Sequence, residues 1–71
     1  MFNRNALRAQ VVAAGMTLAE LASNIGISAA TLTRKMTGDS DFTRLEIQHI
    51  RSVLHLTAAE TDAIFFGDEL A

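Results

Sequence analysis

Apolar residues recur at intervals of three and four along most of this chain, which is the spacing of helices that bury one face. The segment 17–36, TLAELASNIGISAATLTRKM, shows the pattern best. Its first half has apolar residues at i, i+3, i+4 and i+7, namely Leu18, Leu21, Ala22 and Ile25. Its second half places Leu32 and Met36 at i and i+4. The segment therefore predicts two short helices, each with one apolar face.

The residues between these two helices predict a tight turn. Gly26 follows the last apolar position of the first helix, and glycine adopts the left-handed conformation at little cost. Ser28 can cap the second helix by accepting a hydrogen bond from a backbone N–H one turn later. Ile27 places an apolar side chain inside the turn. This order is typical of a helix-turn-helix motif, here covering about residues 17–36.

Capping signals predict where the other helices begin. The pattern T-x-x-E, in which each side chain satisfies a backbone N–H of the other residue, occurs three times, at Thr17 to Glu20, Thr43 to Glu46 and Thr57 to Glu60. Asn3 can cap a first helix over residues 3–14, with Leu7, Val11 and Ala14 facing inward. These signals together predict a compact all-α domain of five helices that covers residues 1–71.

The last two helices carry most of the remaining apolar residues. Helix four is expected to bury four of them, Leu45, Ile50, Val53 and Leu54, with Ile47 close to that stripe and Phe42 packing back onto the core just before the helix. Helix five ends in Phe65 and Phe66, and adjacent helical residues cannot both point into one core. One of the two phenylalanines therefore either caps the bundle or belongs to a dimer or partner interface.

Composition narrows the class of protein. Seventy-one residues make one small domain, and the absence of cysteine excludes disulfides and thiolate metal sites. The apolar runs are too short for a membrane span or a signal peptide, so we expect a cytoplasmic protein. His49 and His55 have no metal-ligating partner at a suitable spacing, and no catalytic group of residues is visible. We therefore expect no enzymatic activity, no metal or other cofactor, and no small-molecule substrate.

The charge is low for a protein that binds nucleic acid. The net charge is −2, although all six basic residues lie in the first 51 residues, where four acidic residues leave a balance of +2. The last twenty residues contain four acidic residues and no basic one, including an acidic tail at Asp68 and Glu69. A dipolar molecule with a mildly basic face is the expectation, and its field is weak for DNA binding.

A family resemblance follows from the motif residues. The dipeptide Leu21-Ala22, the turn Ile25-Gly26-Ile27-Ser28, Leu32 and Gly38 resemble the Cro/lambda-repressor-like (XRE) family of helix-turn-helix proteins. The later segments FTRLEI and LHLTAAETDAIFF are similar to the fourth and fifth helices of small phage regulators of that family. The resemblance implies a five-helix DNA-binding domain that regulates transcription, of the kind used in phage lysis and lysogeny switches.

The resemblance also implies which residues contact double-stranded DNA. The second motif helix, about residues 28–36, would enter the major groove, and its candidate base-reading residues are Ala29, Ala30, Thr31, Thr33 and Arg34. The candidate phosphate contacts are Thr17, Ser28, Lys35 and Arg44. A homodimer would place two such helices in successive major grooves about 34 Å apart. The chain departs from many relatives at Ala29 and Ala30, where they carry long amides such as glutamine.

A second function fits the same scaffold. The low charge, the alanine-rich outer face and the pair Phe65 and Phe66 are also typical of a protein that acts by binding another protein. Modulators and antirepressors of some temperate phages resemble this arrangement and complex a partner repressor. Both hypotheses stay open from the sequence, and a co-repressor that binds DNA and a partner would combine them.

Overall fold

The computed structural model of the protein describes residues 2–67 and contains, within that range, five helices and no strand. They are α1 (Arg4–Ala13), α2 (Leu18–Asn24), α3 (Ala29–Thr37), α4 (Arg44–Leu54) and α5 (Ala58–Phe66). The predicted all-α, five-helix fold is confirmed. In this part of the chain no helix has both the length and the apolar character needed to cross a membrane. The predicted acidic tail lies outside the described residues.

Every predicted helix start is confirmed. The Asn3 side chain accepts a hydrogen bond from the Ala6 N–H at 3.0 Å, and the Ser28 hydroxyl accepts one from the Thr31 N–H at 3.1 Å. Complete capping boxes open α2, α4 and α5. Because each box satisfies two N–H groups that the helix itself leaves without a partner, these short helices begin at defined residues.

The helix ends are equally well defined. At the end of α2 the N–H of Gly26 donates to the carbonyl of Ser23 and the N–H of Ile27 donates to that of Ala22, with Gly26 at φ +81°. This is a Schellman motif, and it produces the sharp turn predicted between α2 and α3. The same pair of bonds ends α4, but there His55 occupies the left-handed position, with φ +54°. A non-glycine residue in this conformation carries a steric cost.

The helices pack around one apolar core. Helix α2 contacts α1, α3 and α4, while α5 contacts α1 and α4. The buried apolar residues are Leu7, Val11, Leu21, Ala22, Ile25, Leu32, Met36, Ile50, Leu54, Leu56, Ile64 and Phe65. Most of the predicted inward positions are among them. Since α2 is the neighbour of three helices, it is the element that positions α3.

Two predicted core positions are wrong. Leu45 is 59% exposed, because it lies about 140° around the helix from the buried Ile50, whereas Ile47, one turn before Ile50, packs against the core instead. Ala14 is exposed because it lies at the C-cap of α1, beyond the last turn that faces the core. Both errors concern the ends of helices, where a shift of one residue changes the face that a side chain occupies.

The two adjacent phenylalanines of α5, both predicted at an interface, differ in exposure. Phe65 is buried, and its ring lies 5.5 Å from that of Phe2 and 5.3 Å from that of Phe42, measured between ring centroids. Phe2 and Phe42 are themselves 4.9 Å apart, so the three rings form one cluster that joins the N-terminus, the segment before α4, and α5. Phe66 is the exposed member of the pair, at 38%. It remains the candidate interface residue.

Candidate nucleic-acid interface

Helix α3 is held to the domain by few side chains. Leu32 and Met36 are its buried residues, and they face the core at i and i+4. Its other positions are exposed or half-buried, and the exposed ones are Ala29, Ala30, Thr33, Arg34 and Thr37. These five recur at intervals of one, three and four residues, so they share one face of the helix. The helix therefore presents a continuous outer surface.

The predicted base-reading residues lie together on this surface. Ala29, Ala30, Thr33 and Arg34 are exposed, and Thr31 is half-buried at its edge. The surface is shallow near the start of α3, where two alanines provide only methyl groups. Arg34, in the last turn of α3, is the long, charged side chain of this surface.

Hydrogen bonds within α3 reduce the number of side-chain donors that it offers. The Thr33 hydroxyl donates to the Ala29 carbonyl at 3.0 Å, and the Thr37 hydroxyl donates to the Arg34 carbonyl at 3.1 Å. The Ser28 hydroxyl donates to the Thr31 hydroxyl at 2.9 Å. Because the hydroxyls of Ser28, Thr33 and Thr37 donate within the protein, the Arg34 guanidinium is the principal donor on this surface, with the half-buried Thr31 hydroxyl at its edge.

The N-terminus of α3 differs electrostatically from those of α2, α4 and α5. Each of those three helices has a glutamate in its first turn, whereas α3 has no acidic residue there. A carboxylate at that position offsets the positive end of the helix dipole. The positive end of α3 is therefore not offset by an acidic residue of its own first turn, which favours an anionic ligand.

The four predicted phosphate contacts have different surroundings. Thr17 belongs to a capping box in which the carboxylate of Glu20 accepts its N–H at 2.9 Å. A phosphate there would meet the negative charge of Glu20, so the structure gives Thr17 a capping role. Ser28 also caps a helix, but without a carboxylate beside it. Arg44 is exposed as the first residue of α4.

The structure corrects the role predicted for Lys35. Its ammonium lies 2.9 Å from Glu46 Oε1 and donates to the carbonyl of Asp41 at 2.9 Å, with only 10% of its side chain exposed. The ammonium is therefore engaged in joining the end of α3 to the start of α4. Glu46 lies eleven residues further along the chain, so no local pattern in the sequence indicates this pair.

The environment of Glu46 is consistent with a stable pair. Burial by itself would raise the pKa of this carboxyl, but hydrogen bonds from the Thr43 N–H and from Lys35, together with the charge of Lys35, outweigh that effect and lower the pKa. Glu46 thus stays ionised and completes both the capping box of α4 and the contact to α3.

Arg44 precedes Glu46 by two residues, which places Arg44 at the end of α4 that adjoins α3.

A second surface feature lies beside the C-terminal end of α3. A groove of about 570 Å³, which we call the aromatic groove, is lined by both apolar and polar residues, Asp41 among the latter. Its apolar lining residues are Phe2, Met36, Phe42, Ile47, Phe65 and Phe66. Phe66 is the most exposed of the aromatic residues, and it lies in the wall of this groove with the other three phenylalanines.

Within residues 2–67 no group of three or more His, Cys, Asp or Glu side chains is placed to hold a metal ion. His49 and His55 are both exposed. The two candidate sites described above are the outer surface of α3 and the aromatic groove. Comparison of the chain with models of protein families, with curated proteins and with solved structures gave no match.

Proposed function

We propose that this protein binds double-stranded DNA as a transcriptional regulator of the Cro/lambda-repressor-like type, with α3 in the major groove. The observation that carries the proposal is the outer surface of α3, which follows a glycine turn, has no acidic residue, and presents Arg34 among small side chains. Because α3 packs on the domain through one face, its opposite face is free to enter the major groove of DNA.

The chemistry of this surface suits base recognition. The Arg34 guanidinium can donate two hydrogen bonds to O6 and N7 of a guanine, a contact that discriminates between bases by roughly 1–3 kcal/mol. Ala29 and Ala30 allow a close approach of the helix backbone, and the methyl groups of this face can contact the C5-methyl group of thymine. The proposed reading residues are thus the five predicted from the sequence, with Arg34 as the main contributor.

Fewer residues are proposed to contact phosphates. Ser28 lies at the N-terminus of α3, and Arg44 lies at the start of α4, which adjoins the C-terminal end of α3. Both are retained. Thr17 and Lys35 are not, since Glu20 and Glu46 occupy their polar groups. With few phosphate contacts and a net charge of −2, we expect weak nonspecific binding and a shallow dependence of affinity on salt.

The test begins with selection from a random pool of DNA duplexes at low salt, followed by fluorescence anisotropy on the enriched sequence. Arg34→Ala is expected to lower affinity for that sequence by about 5- to 150-fold, which corresponds to roughly 1–3 kcal/mol. The matched control is Arg51→Ala, which removes the same charge from the far end of α4. Enrichment of no sequence, or equal losses in both variants, would contradict the proposal.

A second candidate function is supported by the aromatic groove. A groove lined by four phenylalanines, one of them exposed, suits a protein partner, and a modulator or antirepressor would use it to bind another regulator. This function does not involve Arg34. The partner-binding function would be favoured if the protein selects no DNA sequence and if the Arg34→Ala variant still binds a repressor.

A further inference from the structure

The outer surface of α3 ends beside a carboxylate. The helix itself contains no acidic residue, but Asp39 follows its last residue by two positions and is exposed. Gly38, with φ +94°, turns the chain here, so that the N–H of Asp39 donates to the Arg34 carbonyl at 2.9 Å. The N–H of Gly38 donates to the carbonyl of Lys35 at 3.4 Å, which completes a Schellman motif. The backbone of Asp39 is therefore held against the last turn of α3.

The side chain of Asp39 is held as well. The Thr37 hydroxyl, which donates to the Arg34 carbonyl, also lies 3.4 Å from Oδ2 of Asp39. Thr37 is exposed and lies one turn after Arg34 on the same face of the helix. The carboxylate of Asp39 is thus fixed at the end of the surface on which Arg34 lies.

The fold gives no reason for an acidic residue at this position. Any residue except proline has the N–H that the Schellman motif requires. A carboxylate at the C-terminal end of a helix lies near the negative end of the helix dipole, which is unfavourable. The nearest ammonium, that of Lys35, is engaged by Glu46. An effect of Asp39 on stability therefore does not account for its charge.

We infer that Asp39 is a specificity-determining residue, whose carboxylate weakens the contact of Arg34 with phosphate more than its contact with a base. The inference rests on the proposed function. A phosphate carries a full negative charge, whereas O6 and N7 of guanine are uncharged acceptors. The repulsion between a carboxylate and DNA therefore acts mainly on phosphate contacts. Because nonspecific binding consists of such contacts, Asp39 lowers it more than it lowers binding to the preferred sequence.

The test compares the affinities for two DNA duplexes. One is the duplex enriched from a random pool, and the other is a scrambled duplex of the same composition; fluorescence anisotropy gives both dissociation constants at a series of salt concentrations. Asp39→Asn keeps the shape of the side chain and removes its charge. This variant should bind the scrambled duplex about three- to tenfold more tightly than the wild type does, with a steeper dependence on salt. Its affinity for the enriched duplex should change less, so the ratio of the two affinities falls.

Two control variants separate the charge of Asp39 from other effects. Asp39→Glu keeps the negative charge and should keep the ratio. Asp62→Asn removes the same charge from an exposed position on α5, a helix that packs on α1 and α4, and should leave the ratio unchanged. Urea unfolding of each variant checks that the domain is folded under the conditions of the binding measurement.

The outcomes distinguish this inference from the proposed function. A ratio that Asp39→Asn leaves unchanged, or that Asp62→Asn lowers equally, overturns the inference and leaves the proposed function standing. If the wild type enriches no sequence, the proposed function fails, and the scrambled duplex alone then decides. Tighter binding of that duplex by Asp39→Asn than by the wild type and Asp62→Asn supports the effect of the carboxylate on phosphate contacts. Equal affinities, or binding by none of the chains, overturn the inference as well.

Discussion

The ammonium of Lys35 lies 2.9 Å from Oε1 of Glu46, and this pair joins the last turn of α3 to the first turn of α4. The same carboxylate oxygen accepts the N–H of Thr43 at 2.8 Å, so it takes part in the capping box of α4 as well. A single carboxylate therefore contributes both to the start of α4 and to the contact between α3 and α4.

A double-mutant cycle measures the coupling free energy between Lys35 and Glu46. Lys35→Met and Glu46→Gln should each destabilise the domain, with a coupling free energy of about 1 kcal/mol, because both side chains are largely shielded from solvent. Glutamine can still complete a capping box, so the substitution removes the charge and keeps the cap. Urea unfolding of the wild type and three variants gives the coupling. Glu20→Gln, which alters a box without a lysine, is the control, and a coupling near zero would refute the expectation.

The pKa values of Glu46 and Glu60 predict how stability depends on pH. Burial would raise the pKa of Glu46, but the hydrogen bonds from Thr43 and Lys35 outweigh it, and hydrogen bonds from Thr57 lower the pKa of Glu60. Because both values fall below the ordinary 4.5, the carboxylates stabilise the fold above that pH. This stabilisation is lost as the pH falls through the folded-state values.

Urea unfolding at a series of pH values below neutrality checks the dependence. The free energy of unfolding should decline as the pH drops below 4.5, and Glu46→Gln should reduce the slope of that decline. Stability that rises on acidification, or a slope that Glu46→Gln leaves unchanged, would show that the carboxylate has no such role.

His55 offers a route to a more stable domain. Within residues 2–67, His55 is the one residue other than glycine that has a positive φ. It ends α4 in the same conformation in which Gly26 ends α2 and Gly38 ends α3. His55→Gly should raise the free energy of unfolding by about 1 kcal/mol, because glycine has no Cβ to clash with the backbone in this conformation. His55→Ala keeps the Cβ and should not stabilise, and equal effects of the two substitutions would argue against the steric explanation. Thermal and urea unfolding provide the comparison.

The adjacent phenylalanines of α5 should respond differently to truncation. Phe65→Ala should cost about 3–5 kcal/mol, since it removes a buried ring from a cluster of three, whereas Phe66→Ala should cost about 1 kcal/mol or less. Urea unfolding at a protein concentration low enough to keep the chain monomeric separates this effect from association. The reverse order of the two losses would mean that the faces of α5 are assigned wrongly.

Local signals in the sequence predicted most of the fold. Capping boxes at Thr17, Thr43 and Thr57, and the turn at Gly26, depend on contacts within a few residues, so they can be recognised without knowing the tertiary structure. The inward face of α3 also followed from spacing, because Leu32 and Met36 are one turn apart. Spacing was least reliable at the ends of helices, as the exposed Leu45 shows.

Contacts between distant segments were not predictable in this way. The engagement of Lys35 by Glu46 depends on how α3 and α4 pack, and the burial of Phe65 depends on Phe2, which lies at the opposite end of the chain. Likewise, the aromatic groove forms only when Phe2, Phe42 and Phe66 come together from three separate segments. Surfaces built from several segments need the three-dimensional structure.

The attachment of α3 through Leu32 and Met36 has a consequence for how this domain can change. Substitutions at Ala29, Ala30, Thr33, Arg34 and Thr37 leave the interior of the protein untouched, so they should be tolerated singly and in combination. The chemistry of this outer surface can therefore evolve, or be engineered, by exchanging these five side chains on an unaltered scaffold.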